Sequence, residues 1–379
     1  MRNGATKIKH GGIIMSFDTN LLKSEEKVIF KLRGLYRQYG YTHFKMSKFE
    51  EYDLYAVNKE FLVSDSVITF TDTSGKLMAL KPDVTLSIVK NSADESGAVN
   101  RLYYSENVYR ISEKTHHYKE IMQTGLECIG DLTPYHLCEV VRLAALSLSA
   151  ISGDAVLNLS HLGVVSAALE GQEFGVGRGE LLSCIENKNA GGVRALCEQY
   201  DIGPARTAFL EALTEAYGEP KEVIASLRQK TKEKKILAAL DAFESTLALC
   251  GEIAGVRIAV DFSLVSNMTY YNGLIFRGYV KGIPSSVLSG GQYDKLMEKM
   301  GKSSRAIGFA VYLDLLDRLE KESEYDVDVL LLVSESAPTE AILDEVQKLL
   351  ADGKTVSVQT KMPEKLRYKQ LLTLGKEAF

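Results

Sequence analysis

Residues 101–130 read RLYYSENVYRISEKTHHYKEIMQTGLECIG, the pattern of two β-strands joined by a polar loop. Leu102, Tyr103, Tyr104, Val108 and Tyr109 are the β-branched, aromatic and aliphatic residues that fit a pleated surface, and alternation resumes from Ile121 to Ile129. The loop from Ser112 to Lys119 holds Lys114, His116, His117 and Lys119. Gln123 and Glu127 stand four apart in an element of period two, so both side chains point to one face. An amide beside a carboxylate suits a ligand that carries N–H donors. Arg110 closes the first strand and Glu120 stands near the start of the second. Taken singly, each is also what the wet face of an ordinary amphipathic hairpin carries.

Working outward, Ser24-Glu25-Glu26 opens a helix expected to run to Gln38, with Ser24 as N-cap and acids in the first turn. Val28, Ile29, Leu32, Leu35 and Tyr36 recur at helical spacing, and Gly40 ends it. Ile68 to Thr71 and Lys76 to Leu80 read as paired strands around the turn Asp72-Thr73-Ser74-Gly75. In Lys81-Pro82-Asp83-Val84-Thr85 a proline at a helix start is followed by two capping residues. A long helix is expected over Leu132 to Leu148, a short strand over Ala155 to Leu159, and a strand over Val256 to Phe262. Residues 163–250 are mostly of helical period, broken at Gly175-Val176-Gly177, Gly191-Gly192 and Gly218-Glu219-Pro220. After Lys321-Glu322-Ser323-Glu324 a new unit, residues 327–379, reads as strand (Val327 to Val333), helix (Thr339 to Ala351), strand (Thr355 to Gln359) and helix (Glu364 to Leu374). The first nineteen residues read as a flexible extension without the pattern of a signal peptide, with Met15 an alternative start.

The 379 residues suffice for two or three domains, and 45% hydrophobic with 25% charged residues is the composition of a soluble globular protein. A net charge of -5 argues against a broad nucleic-acid-binding surface. Five scattered cysteines without a C-x-x-C pair fit a reducing cytoplasm and carry no metal signature. No apolar run approaches the ~18 residues of a membrane span.

Five stretches together resemble the class II aminoacyl-tRNA synthetases in their histidyl-tRNA synthetase version. V-Y-R, a polar loop and E-x-x-Q-x-G-x-E-x-x-G resemble motif 2, and GYTHFKMSKFEEYDLY resembles the motif 1 passage that forms the family's dimer interface, with Ser47 where its proline would fall. Lys81-Pro82-Asp83-Val84-Thr85 resembles R-P-E-x-T, whose acid and threonine hold the amino group of histidine. LVSNMTYYNGLIF (264–276) is similar to L-V-R-G-L-D-Y-Y-N-G-x-x-F, with Ser266 at the arginine, Asn267 at the glycine and Thr269 at the aspartate. LSGGQYDKLMEKMGKSSRAIGFAVYLDLL (288–316) is similar to G-G-G-R-Y-D-x-L and motif 3. Gly290, Gly291, Tyr293, Asp294, Gly308 and Phe309 match, while Gln292 and Leu315 stand at its arginines.

The resemblance implies an α+β fold: a mainly antiparallel sheet flanked by helices over residues 20–322, with a helical insertion at 163–250. The last unit is similar to the first half of the family's anticodon-binding domain, whose third strand would lie beyond Phe379. Amino-acid activation needs fixed cations where charge builds on carboxylate and α-phosphate. Arg110 is kept, but Ser266, Gln292 and Leu315 are not cations, so with Arg110 and Glu120 they would form a vestigial phosphate site. Losing one preorganised donor costs ~3–4 kcal/mol of transition-state stabilisation, so aminoacylation is expected to be absent. The histidine ligands are kept: Asp83 and Thr85 for the ammonium, Glu127 and Tyr271 for the imidazole with Tyr270 beside them, and Gln123 for ammonium or carboxylate.

Recognition without phosphate chemistry resembles the regulatory subunits of short-form ATP phosphoribosyltransferase. The implied partners are the short catalytic subunit and free histidine, with a homodimer inside a larger hetero-oligomer in the cytoplasm. No tRNA, membrane, metal or cofactor is expected. The alternatives are another synthetase paralogue, a tRNA-sensing or adaptor domain, and an active histidyl-tRNA synthetase, which would need the missing arginines.

Overall fold

A computed structural model describes residues 22–62, 67–111, 115–265, 268, 270–319 and 324–375. The N-terminal extension and Ser266, Asn267 and Thr269 lie outside the described residues, so the expectations placed on them have no structural counterpart. The chain divides into two compact units, Met1–Leu319 and Glu320–Phe379.

The first unit begins with α1 (Ser24–Gln38), β1 (Thr42–His43), β2 (Phe49–Glu51), α2 (Tyr52–Val57), β3 (Thr69–Thr71), β4 (Leu77–Leu80) and α3 (Thr85–Asn91). The long hairpin follows, β5 (Val99–Ile111) and β6 (Tyr118–Gly130), then α4 (Pro134–Ile151) and β7 (Ala155–His161). The next stretch is helical: α5 (Leu162–Leu169), α6 (Arg178–Glu186), α7 (Ala190–Gln199), α8 (Pro204–Glu215), the short β8 (Tyr217–Gly218), α9 (Pro220–Gln229) and α10 (Lys234–Cys250). It closes with β9 (Val256–Asp261), β10 (Leu274–Val280), β11 (Leu288–Gln292), α11 (Asp294–Lys299) and β12 (Arg305–Tyr312).

Nine strands form one sheet in the order β1-β5-β6-β12-β11-β10-β7-β9-β8. Every pairing is antiparallel except β1 with β5 and β7 with β9. Each face of the sheet carries its own core. Tyr103, Leu126, Cys128, Ile307 and Phe309 point to the face covered by α1 and α4, where the larger core lies. Tyr104, Val108, Ile129 and Ala306 point the other way, toward α3, α11 and the three-stranded sheet β2-β4-β3. That second face is only partly covered, and the pocket opens there.

α1 has the bounds its periodicity implies, but the cap sits one residue earlier. Lys23 is the extended residue, and the Glu26 carboxylate accepts from its N–H at 2.9 Å. Gly40, at φ +80°, turns the chain out of the helix into β1. The Asp72 turn joins β3 to β4, with Asp72 Oδ1 accepting from the N–H groups of Ser74 and Lys76.

The second unit is β13 (Val327–Val333), α12 (Thr339–Ala351), β14 (Val356–Gln359) and β15 (Tyr368–Leu374), a parallel sheet in the order β14-β13-β15. The expected final helix over Glu364 to Leu374 is therefore corrected to a strand, and the unit is β-α-β-β, not β-α-β-α. β13 is buried from Val329 to Val333 and has two edges, of which β14 occupies one. Residues 368–374 take the other, with Leu372 and Leu374 half-buried between exposed Leu371 and Thr373, a period of two. Two adjacent leucines in so short a run do not decide between periods.

Candidate functional site

The site is assembled on the second sheet face. β6 is read by alternation, so Gln123, Gly125 and Glu127 share one side, and α3 starts above them with Thr85. The Thr85 hydroxyl donates to Glu127 Oε1 at 2.8 Å, and the Tyr293 hydroxyl donates to Glu127 Oε2 at 2.6 Å. Glu127 is 2% exposed, and burial pushes its carboxyl up to about 8, against the pull of these two donors. That shift favours the protonated carboxyl near neutral pH. Burial also raises Asp83, opposed first by the Leu86 N–H that its Oδ1 accepts at 2.9 Å and then by Arg110. Asp83 is thus both the cap of α3 and a wall of the pocket.

The pocket measures about 220 Å³. Asp83, Thr85, Gln123, Glu127, Tyr270 and Tyr271, the six proposed histidine ligands, all line it. Tyr270 and Tyr271 stand edge to face with ring centroids 4.6 Å apart, and Tyr270 also packs on Phe61 at 5.9 Å. Gln123 is 3% exposed, and its Nε2 has no hydrogen-bond partner among the described residues.

Much of the floor is backbone. In register, Glu127 of β6 faces Gly308 of β12, which faces Gly291 of β11. A Cβ on Gly308 would lie 1.6 Å from Glu127 Oε2, and one on Gly291 would lie 2.7 Å from the Tyr271 ring. Both positions are closed to side chains by this close approach.

Of the described positions grouped as a vestigial phosphate site, Arg110 alone lines the pocket, and its Nε donates to Pro82 O at 3.0 Å. Gln292 does not. Its side chain is buried and its Oε1 accepts from the Leu274 N–H at 2.8 Å, tying β11 to the start of β10. Leu315 packs against the larger core on the other face. Glu120 is displaced as well: its carboxylate is exposed and accepts from the Tyr109 hydroxyl at 3.1 Å and from Asn107 Nδ2. Three residues from Gln123 in a period-two strand, it falls on the opposite face. Arg110, Glu120, Gln292 and Leu315 are therefore not gathered at one place. Lys81, at the position of the motif's arginine, is fully buried and paired with Glu106 at 3.1 Å. Burial lowers its pKa, and Glu106 partly restores it.

Among the pocket residues to which the motifs assign no role, Tyr293 and Arg277 bear most on its chemistry. Tyr293 was visible only as a match in G-G-x-Y-D, and its bond to Glu127 spans 166 positions. Arg277, next to the matched Phe276, lines the pocket from β10. No grouping of three or more His, Cys, Asp or Glu side chains fit to hold a metal occurs among the described residues. No helix among them is long and apolar enough to cross a membrane.

A nine-stranded, mainly antiparallel sheet with a ligand pocket on its partly covered face is the class II synthetase-like architecture. The histidyl-tRNA synthetase family model matches residues 18–316, and the chain belongs to that family. It is 30% identical to the ATP phosphoribosyltransferase regulatory subunit of Clostridium acetobutylicum, over 86% of this chain and 83% of that one. In fold it is similar to an ATP phosphoribosyltransferase regulatory subunit/histidyl-tRNA synthetase from Bacillus halodurans, with TM-score 0.74, 24% identity, and coverage of 95% of this chain and 99% of that one. It is also similar in fold to a chain of the ATP phosphoribosyl transferase (HisG:HisZ) complex from Thermotoga maritima, with TM-score 0.61, 19% identity, and coverage of 76% and 97%. The Clostridium acetobutylicum relative is a regulatory subunit by name, which agrees with a non-catalytic chain.

Proposed function

We propose that this chain is the histidine-binding regulatory subunit of a cytoplasmic ATP phosphoribosyltransferase, activating the short catalytic chain and inhibiting it when histidine is bound. One observation carries the reading. The amino-acid end of the pocket keeps its hydrogen-bonding groups, while two of the cation positions that activation chemistry needs, Gln292 and Leu315, have become structural. Asp83 and Thr85 take the α-ammonium, Glu127 and Tyr271 the imidazole, with Tyr270 as a side wall. Self-association would run through the segment from Gly40 to Tyr55, and histidine would act from the pocket on the assembly.

The test is reconstitution. Phosphoribosyltransferase activity of the short catalytic chain from the same organism should appear, or rise strongly, on mixing with this chain, and fall on addition of histidine. Coupling of this kind is typically worth ~1–3 kcal/mol. A catalytic chain fully active alone, which never co-elutes with this one, would sink the assignment.

A further inference from the structure

The pocket has a second polar end. Arg277 of β10 is in register with Ser289 of β11, which faces Ala310 of β12, which faces Gly125 of β6. The neighbouring row on the same face runs Ile275, Gly291, Gly308, Glu127. Three strand spacings, ~14 Å of sheet, separate the backbones carrying Arg277 and Glu127. The Glu127 carboxylate lies over Gly308 and the Tyr271 ring over Gly291, while the row from Gly125 through Ala310 and Ser289 to Arg277 carries only small side chains between its ends. At the far end the Tyr312 hydroxyl and Ser289 Oγ are 2.7 Å apart, and Tyr312 pairs in register with Gln123. Gln123 brings the buried Nε2 that finds no acceptor among the described residues. Burial raises the Tyr271 hydroxyl, and the charge of Arg277 offsets part of that rise, so the guanidinium is felt inside the pocket.

A pocket lined both by a buried amide donor without an acceptor and by a guanidinium suits an anionic group. The planar fork of arginine matches a carboxylate in bidentate geometry. We propose that Arg277, with Gln123, binds the α-carboxylate of the amino acid whose imidazole faces Glu127. This rests on the histidine-binding reading above and adds to it a residue that fixes the ligand's orientation. The carboxylate end is then read from β10, a strand that none of the positions at Ser266, Gln292 and Leu315 belongs to.

Calorimetry on the full chain with histidine and with histamine, which lacks the carboxylate, tests this. Wild type should prefer histidine. Arg277→Ala should weaken histidine by about ten- to a hundredfold and leave histamine unchanged, so the preference collapses. Arg277→Lys should keep part of it. Thermal melts check that the variants fold, and the wild-type comparison stands without them: histamine bound as tightly as histidine overturns the proposal. So does an Arg277→Ala chain that keeps the wild-type ratio while Arg110→Ala loses it. Wild type that binds no histidine at all overturns the histidine-binding reading instead.

Discussion

The two ends of the ancestral site have had different fates. Around Glu127 the side chains still face a cavity: Thr85 and Tyr293 hold the carboxyl, and Gln123 keeps a donor in reserve. At the positions where the family places phosphate-binding arginines, Gln292 and Leu315 have been absorbed into the fabric, one as a side-chain tie to Leu274 and the other as core packing. Neither of these two positions lines the pocket. The replaced residues carry structure, so chemistry cannot be regained by restoring one charge.

That contrast is broken most directly by Gln292→Arg. The guanidinium would enter a buried position whose present side chain accepts a backbone N–H, leaving both the charge and the Leu274 N–H without partners. Chemical denaturation should show a loss of about 3–5 kcal/mol, the scale of an uncompensated buried charge, and no histidine-dependent pyrophosphate exchange should appear. A stable variant with measurable exchange would mean that the phosphate end is only dormant.

On the recognition side, Glu127→Ala should weaken histidine by roughly ten- to a hundredfold, at ~1–3 kcal/mol for each group left unpaired, while assembly with the catalytic chain survives. Calorimetry with leucine as control separates this from a structural role. A variant that loses folding stability, with wild type showing no preference for histidine over leucine, would make Glu127 a piece of core and erase the comparison.

A smaller effect sharpens it. Glu127 sits at about 8 in the folded chain against an ordinary 4.5. Its contribution to stability is full below about 4.5 and is lost as pH rises to about 8, because the unfolded chain releases the proton first. Below about pH 6.5 free histidine already carries an imidazolium, so binding drives the carboxyl proton off and affinity should rise with pH; from there to about pH 8 the proton passes from Glu127 to the incoming imidazole, and affinity should level off with little proton release. Glu127→Gln should flatten both trends, measured by urea melts and by calorimetry in buffers of different ionisation enthalpy. Least of all, Glu120→Ala should change stability by no more than ~0.5 kcal/mol and leave histidine binding alone, since its carboxylate is exposed on the other face.

The sequence showed what repeats locally. Alternation in β5 and β6, the helical stripe of α1 and the Asp72 turn all follow from spacing, and the pairing of Gln123 with Glu127 on one face follows from the same rule. It failed where the deciding contact is distant. Residues 368–374 become a strand because β13 has an open edge, and Tyr293 reaches Glu127 only through the sheet order β6-β12-β11. Glu120, three residues from Gln123, falls on the opposite face by the same period of two. Arg277 carried no signal beyond its position beside a matched phenylalanine.

The bare floor under Glu127 has an evolutionary consequence. Where a metabolite rests partly on main chain, no point substitution can retune that surface gradually, because any side chain at Gly308 would collide with Glu127 Oε2. Drift toward a different effector is confined to the walls, Asp83, Thr85, Tyr271 and Arg277. A change at Gly308 acts as an all-or-none lesion. Gly308→Ala would push the Glu127 carboxyl out of its place, and on the proposed histidine-binding role it would leave a chain that assembles but no longer answers its effector.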